Sequence, residues 1–496
     1  MSKNTENIEY NSIIGRKNEL DVFQDRLSSP SAEFIAVYGR RRVGKTYLIK
    51  HFFSQQKGLF FEQTGLNGGS LHEQLEIFAN SFSNAFYKGI KTAIPKTWKE
   101  AFTQLNTAIE STPKNKRITL FFDELPWLAS PRSGFLKMLE YFWNTAWAHR
   151  KKMTLLVCGS AASWMLENII YAKGGLHNRI TARIPLAPFT LSETEEYLHY
   201  LGVKLNQWQI LQLYMVMGGV PHYLKSIRKN YSAVQNINAL CFKKGGLLFD
   251  EFEILFHSLY DHPEDYHRII RVIAQKTNGI SREELVKKIK VPDGGYLNTR
   301  LRNLEEAGFI NSFLPVGHTR RGVHYRVVDE YTLFYFTWIQ PLRQKPSSDT
   351  VSKNYWETII KKPTWLAWAG YAFESICFKH IDCIKKALGI EYIHSICSDW
   401  RYQPEKMKAE KGAQIDLVFD RDDDCVTLCE IKYSDKPFAM TKEYVQVLKQ
   451  KEEIYKQRTR CKKQIYWALI TANGVVQNDN LRAIITHHVD MNDLFN

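Results

Sequence analysis

Two groups of residues in this 496-residue chain have the types and spacing for phosphate chemistry. The first runs Gly39-Arg40-Arg41-Arg42-Val43-Gly44-Lys45-Thr46. It fits G-x-x-x-x-G-K-[ST], where glycines let backbone N–H groups face phosphate oxygens, the lysine reaches the β- and γ-phosphates and the threonine hydroxyl meets Mg²⁺. Phe34–Tyr38 before it reads as a strand, and Tyr47-Leu48-Ile49 opens the helix after it, whose positive N-terminal end favours an anion. Further on, Ile118–Phe122 is an apolar run ending in Asp123 and Glu124, the pattern of a buried strand delivering carboxylates at its C-terminal edge. Asp123 is expected to hold Mg²⁺ through water, and Glu124 to polarise the attacking water. A third run, Leu155–Cys158, leads to Ser160, which either senses the γ-phosphate or caps the next helix.

The second group lies near the C-terminus. Gln414–Phe419 and Val426–Lys432 read as strands joined by the acidic turn Asp420–Asp424. Side chains alternate along a strand, so Glu430 and Lys432 share a face. A hairpin centred near residue 423 sets Asp416 opposite Glu430, with Cβ atoms about 4.5–5.5 Å apart. Two carboxylates beside an ammonium can share a divalent cation, and Lys432 can orient water. The alternative is a set of salt bridges without catalysis. His487 and His488 have no spaced partner.

These residues need elements to hold them. Residues 1–190 alternate apolar runs with helical stretches, which predicts a parallel sheet flanked by helices. Residues 191–262, opening at a cap signal in Ser192-Glu193-Thr194-Glu195, are helical. Residues 263–342 read as helix, turn, helix and a β pair; 343–354 is a polar linker and 355–496 a smaller α/β block. In the third segment Ser281 caps a helix carrying Leu285 and Ile289 on one face. Gly294-Gly295 turns into a second helix with Leu297, Leu301 and Leu304 inward. With the β pair around the basic tip at 318–322 these resemble a winged helix; if it binds DNA, the resemblance implies that Asn298, Arg300 and Arg302 face the groove and that Arg320 and Arg321 contact phosphate.

Composition limits the choices. Hydrophobic residues are 44% and charged residues 24%, so a disordered or fibrous chain is excluded. The net charge of +15 is spread along the sequence and is compatible with a polyanionic partner. Eight cysteines show no regular framework, the first residues are polar, and no apolar run reaches 18 residues. The expectation is a cytoplasmic protein without a membrane segment.

Together, Ile14-Gly15-Arg16-Lys17-Asn18-Glu19-Leu20, the loop at 38–46, FFDELPWL, GSAASWM and Met217–Leu224 resemble the archaeal-type ATPases of the AAA+/STAND group of P-loop NTPases. That resemblance covers about residues 1–235. It implies ATP and Mg²⁺ as cofactors, an adenine near Gly15 and Arg16, and a helical lid containing Gly218–Leu224. His222 stands where relatives often carry an arginine. Arg179 and Arg183 are candidates for an arginine finger, and a homo-oligomer stays open. Residues 263–342 resemble a winged helix. The arrangement Asp416, Glu430, Lys432 resembles the PD-(D/E)XK nucleases, and also the domain of unknown function fused behind archaeal-type ATPases. In such folds an earlier helix supplies another acid, which Glu374 fits. The expected architecture is thus an α/β P-loop ATPase core with a helical lid, a winged helix and a C-terminal restriction-endonuclease-like α/β domain. The expected function is ATP hydrolysis coupled to a Mg²⁺-dependent nuclease on DNA. The alternative is a regulatory ATP switch whose later segments bind DNA or protein without cleavage.

Overall fold

The computed structural model describes residues 13–171, 175–176, 178–276, 279–314, 322–344, 354–402, 404 and 411–496. The chain divides into two compact units, Met1–Pro188 with Arg302–Gly308, and Phe189–Leu301 with Phe309–Asn496.

The first unit is built on five strands: β1 (Glu33–Tyr38), β2 (Leu59–Thr64), β3 (Ile118–Asp123), β4 (Met153–Gly159) and β5 (Ala182–Pro185). All pair in parallel, in the order β2-β3-β4-β1-β5. Strands β3 and β4 are buried along their whole length, because a parallel sheet carries helices on both faces. Alternation divides β1 between two cores. Phe34 and Ala36 pack with Phe61, Phe78, Trp98 and Phe102. Ile35 and Val37 pack with Phe23, Leu48, Ile49 and Phe53 from the helices Lys17–Ser28 and Lys45–Ser54. Strand β4 separates β1 from β3, so Tyr38, Asp123 and Gly159 end at one edge of the sheet.

The second unit begins with the helix Leu191–Tyr200. Its N-cap is Thr190, which forms a capping box with Glu193; the cap signal expected at Ser192 therefore sits inside the helix. The helix Gln207–Met217 ends at Gly218 and Gly219, both left-handed at φ 62° and 68°. A Cβ on Gly218 would meet the Glu330 carboxylate, and one on Gly219 the Phe189 carbonyl, so this turn requires glycine twice. The helices Arg282–Ile289 and Gly295–Glu306 follow, the latter as far as Leu301 in this unit, and Leu285, Ile289, Leu297 and Leu301 are all buried, as is Leu304 beyond it. Beside them β6 (Ile280–Ser281), β7 (Ile310–Phe313) and β8 (His324–Val327) form an antiparallel sheet, in the order β6-β8-β7. Arg320 and Arg321 lie outside the described residues, as does most of the linker expected at 343–354.

The remaining sheet joins β9 (Ser395–Tyr402), β10 (Ala413–Arg421), β11 (Cys425–Lys432), β13 (Gln464–Thr471) and β15 (Ile485–Val489), in the order β15-β13-β11-β10-β9. Strands β9, β10 and β11 are antiparallel, whereas β11, β13 and β15 are parallel. The crossover from β11 to β13 runs through the helix Lys442–Thr459. Two short strands, β12 (Phe438–Ala439) and β14 (Val475–Val476), pair separately. Among the described residues no helix is long and apolar enough to cross a membrane, and all eight cysteines are free.

Candidate functional site

The edge of the first sheet gathers one set of expected residues. Gly39 has φ 141°, and a Cβ there would drive into the Leu186 carbonyl oxygen, so no other residue fits the start of the loop. Arg42 and Gly44 are also left-handed, at φ 73° and 93°, which turns the loop back onto the helix Lys45–Ser54. The Lys45 ammonium lies inside this curve and donates to the carbonyls of Gly39 at 2.9 Å and Arg40 at 2.8 Å. Val43 is buried beneath the loop, and its carbonyl accepts from the Arg16 guanidinium at 3.1 Å. The consecutive left-handed residues Gly15 and Arg16 thereby reach the loop from the N-terminal side. Tyr47 is half-exposed and stacks on His51, with ring centroids 5.5 Å apart.

Acidic partners close the arrangement. The Thr46 hydroxyl donates to Asp123 Oδ2 at 2.9 Å. The Cys158 thiol donates to Asp123 Oδ1 at 2.8 Å. Glu124 sits in a left-handed conformation, φ 46°, immediately after β3. Its carboxylate accepts from the Ser160 N–H at 3.1 Å and the Ser160 hydroxyl at 2.5 Å. Ser160 therefore does not cap the next helix; Ala161 is the N-cap of Ala162–Met165, without a side-chain bond. Burial pushes the Asp123 carboxyl above its ordinary range, reinforced by Glu124 and opposed by the bonds from Cys158 and Thr46. Burial likewise lowers the Lys45 ammonium, against the attraction of the surrounding acids. A hydroxyl and a carboxylate held together are hard oxygen donors and suit Mg²⁺. The sequence reading missed the Cys158 contact, which neighbouring strands create: β3 and β4 run side by side. Arg183 lies over the Tyr171 ring at 5.8 Å, and Arg179 is exposed.

The second unit gathers the other set. The β10–β11 register pairs Leu417 with Cys429, so Asp416 and Glu430 come next across the same ladder. Asp416 Oδ2 accepts the Ile431 N–H at 2.9 Å. Glu374, on the helix Pro363–Lys379, is pushed up to about 8 by burial, then by Asp416. Asp416 itself is pushed up to about 6 by burial and by Glu430. Two carboxyls that both resist ionising in one enclosed place make a donor set suited to a hard cation.

Glu430 is arranged differently. Its carboxylate is 2% exposed; Oε1 accepts from Lys432 at 2.7 Å and from the Tyr444 hydroxyl, and Oε2 accepts from Lys451 at 2.7 Å. Burial would raise this acid, but the two ammonium groups outweigh it and hold it below its usual range. Correspondingly, burial would lower Lys432, yet Glu430 holds it above its usual range. Among the described residues no three His, Cys, Asp or Glu side chains form a metal-holding group. Glu374, Asp416 and Glu430 are thus not assembled as a three-acid cage, because Glu430 is turned to its lysines. Sequence reading missed Lys451 and Tyr444. The signal was present: Tyr444, Leu448, Lys451 and Tyr455 recur at helical spacing, one lysine in a stripe whose Leu448 and Tyr455 are buried.

Among the described residues, the expected nucleic-acid residues Asn298, Arg300 and Arg302 are engaged within the protein. Arg300 donates to Asp265 at 3.0 Å and lies 3.3 Å from the Tyr296 ring centroid. Arg302 pairs with Glu167, and Asn298 accepts from Arg282. Tyr433, next to Lys432, stacks on Trp208 of the helix Gln207–Met217, ring centroids 5.1 Å apart.

A parallel sheet whose first strand feeds a glycine loop, with a threonine, two acids and a serine converging on that loop, defines a P-loop nucleotide-binding domain. Residues 13–227 match the model of a family described as an ATPase domain predominantly from Archaea. An uncharacterized protein of Methanocaldococcus jannaschii is 22% identical over 429 residues, 85% of this chain and 88% of its own length. An uncharacterized ATP-binding protein of the same organism is 46% identical over 45 residues, 9% of this chain and 76% of that protein. The solved Walker-type ATPase of Pyrococcus abyssi aligns at a TM-score of 0.46 and 17% identity, covering 65% of this chain and 96% of that one.

Proposed function

We propose that this chain hydrolyses ATP and couples that reaction to a Mg²⁺-dependent nuclease-like domain acting on DNA. The observation that supports the coupling is that Glu374, on the helix Pro363–Lys379, feels the charges of Asp416 on β10 and of Glu430 and Lys432 on the neighbouring strand β11, in a chain that also holds a P-loop ATPase domain. In the ATPase domain, Lys45 binds the β- and γ-phosphates, and the loop N–H groups from Gly39 to Thr46 cradle them. Gly15, Arg16 and Tyr47 border the nucleotide. Thr46 and Asp123 hold Mg²⁺, which supplies charge neutralisation on the phosphates. Glu124 orients and polarises the attacking water, and Ser160 fixes the rotamer of Glu124 and reports on the γ-phosphate. In the C-terminal block, Asp416 and Glu374 are the first cation donors and Glu430 orients Lys432, which positions water. We read 191–262 as a lid, 263–342 as a winged helix and 355–496 as the nuclease-like domain.

Two observations favour a second reading, a regulatory ATP switch that binds DNA or protein without cutting. Both Glu430 oxygens are already occupied, and Arg300 is committed to Asp265 and Tyr296. Asp416→Ala decides between the two. The nuclease reading expects cleavage of labelled DNA with Mg²⁺ to disappear in this variant while ATP turnover stays near wild type, since distant sites act additively. If the wild type cuts no DNA or RNA under any nucleotide or metal tested, and Asp416→Ala changes no binding, the switch reading holds.

A further inference from the structure

We infer that Lys451 is a second anion-binding ammonium of the carboxylate cluster and that, with Lys432, it grips a backbone phosphodiester of nucleic acid. The inference rests on the nuclease reading and assigns that site its phosphate-holding groups.

Lys451 occupies the inward stripe of the helix Lys442–Thr459, among Tyr444, Leu448 and Tyr455. A lysine on such a face loses hydration and has to find compensation. It finds Glu430 Oε2 at 2.7 Å, although Glu430 Oε1 already has Lys432 at 2.7 Å. One ammonium would neutralise this carboxylate, so the second is a surplus that the fold nevertheless brings in. Charge counting shows what the surplus does. Each ammonium offsets one carboxylate charge, so removing Lys451 leaves the cluster one charge more negative toward a phosphodiester, with or without a cation.

Access agrees with this role. The carboxylate of Glu430 is 2% exposed, while the side chains of Lys432 and Lys451 are 26% and 17% exposed. Both lysine side chains are therefore partly open to solvent, with Glu430 as the buried anchor between them. A lysine is a compact charge on a flexible stem, able to turn from a carboxylate to a phosphate oxygen without repacking the helix. An exposed pair on the same helix, Lys456 with Glu452, serves as the contrast.

The test is binding without chemistry. Full-length protein is titrated into a fluorescein-labelled DNA duplex in EDTA, and anisotropy is followed across a salt series. Lys451→Met should weaken binding roughly three- to tenfold and reduce the salt slope by about one, as for one lost phosphate contact. Lys451→Arg should retain most of the affinity, and Lys456→Met should match wild type. A wild-type circular dichroism spectrum and thermal melt in all three report that the unit carrying Lys451 is folded, and ATP turnover should be unchanged. If Lys451→Met does not fold, the charge-neutral pair Glu430→Gln/Lys451→Met must show the same loss relative to Glu430→Gln. Wild-type affinity and slope in Lys451→Met, or in that pair, overturn the inference. The two readings fail separately. A weakened Lys451→Met in a protein that never cuts keeps the clamp and removes the nuclease, whereas cutting that depends on Asp416 with unchanged EDTA binding does the reverse.

Discussion

His380 ends the helix Pro363–Lys379 and is buried, and two hydrogen bonds fix its state. Nδ1–H donates to the Ile376 carbonyl at 2.8 Å, and Nε2 accepts the Leu191 N–H at 3.0 Å, so the ring is neutral. Burial depresses its pKa from 6.5 to about 4; the Ile376 bond opposes this and neighbouring Lys379 adds to it. The Tyr214 ring lies 5.8 Å away and brings no counter-charge. A histidine with a depressed folded-state pKa contributes stability that is complete above the unfolded value. That stability is lost as the pH falls from about 6.5 through about 4, because the unfolded form takes up the proton first. With these two values, moving from pH 7 to pH 5 removes roughly 2 kcal/mol, and the full loss below pH 4 is roughly 3 kcal/mol. The bond to Leu191 ties the first turn of the helix Leu191–Tyr200 to this histidine, so that turn should open first. Hydrogen–deuterium exchange of a peptide spanning Leu191, corrected for intrinsic rates, reads the change directly. His380→Gln keeps an acceptor for Leu191 but cannot titrate, and its protection should be flat over this range. Wild-type protection that does not fall between pH 7 and pH 5, or an equal fall in His380→Gln, would refute the reasoning.

Three substitutions at the nucleotide loop separate its parts. Lys45→Ala removes a charge-assisted contact to the phosphates and should abolish measurable ATP binding in calorimetry. Glu124→Gln should bind ATP and lose roughly 10²- to 10⁴-fold in turnover, as expected for removal of a general base; undiminished phosphate release would exclude that role. Gly39→Ala places a Cβ against the Leu186 carbonyl at φ 141°. It should lower the thermal midpoint as well as ATP affinity, whereas Lys45→Ala should leave the midpoint near wild type.

What was legible in the sequence was local. Gly39 to Thr46 needs one strand, one turn and one helix in continuous chain, and each announces itself by composition: Phe34–Tyr38 is apolar, the glycines punctuate, and Leu48 and Ile49 return to the core. The β10–β11 hairpin was legible for the same reason, since an alternating pair of strands around a polar turn fixes its own register and so sets Asp416 against Glu430. Glu374 was reached only through resemblance, because its distance to Asp416 depends on how a helix crosses a sheet.

Tertiary structure decided the partners of the charged groups. Whether Ser160 caps a helix or holds Glu124 depends on β4 lying beside β3, a pairing of strands roughly thirty residues apart. Whether Glu430 faces a cation or two lysines depends on a helix that follows β11 and folds back across it, bringing Lys451 and Tyr444 to its two oxygens. Arg300 read as a groove-facing residue by its helix position, yet Asp265 and Tyr296 hold it. In each case the strand or helix was specified by short-range pattern. A side chain's charge partner, by contrast, is chosen by desolvation: a buried charge takes whichever opposite group the packing brings within reach, and single-chain spacing does not record that choice.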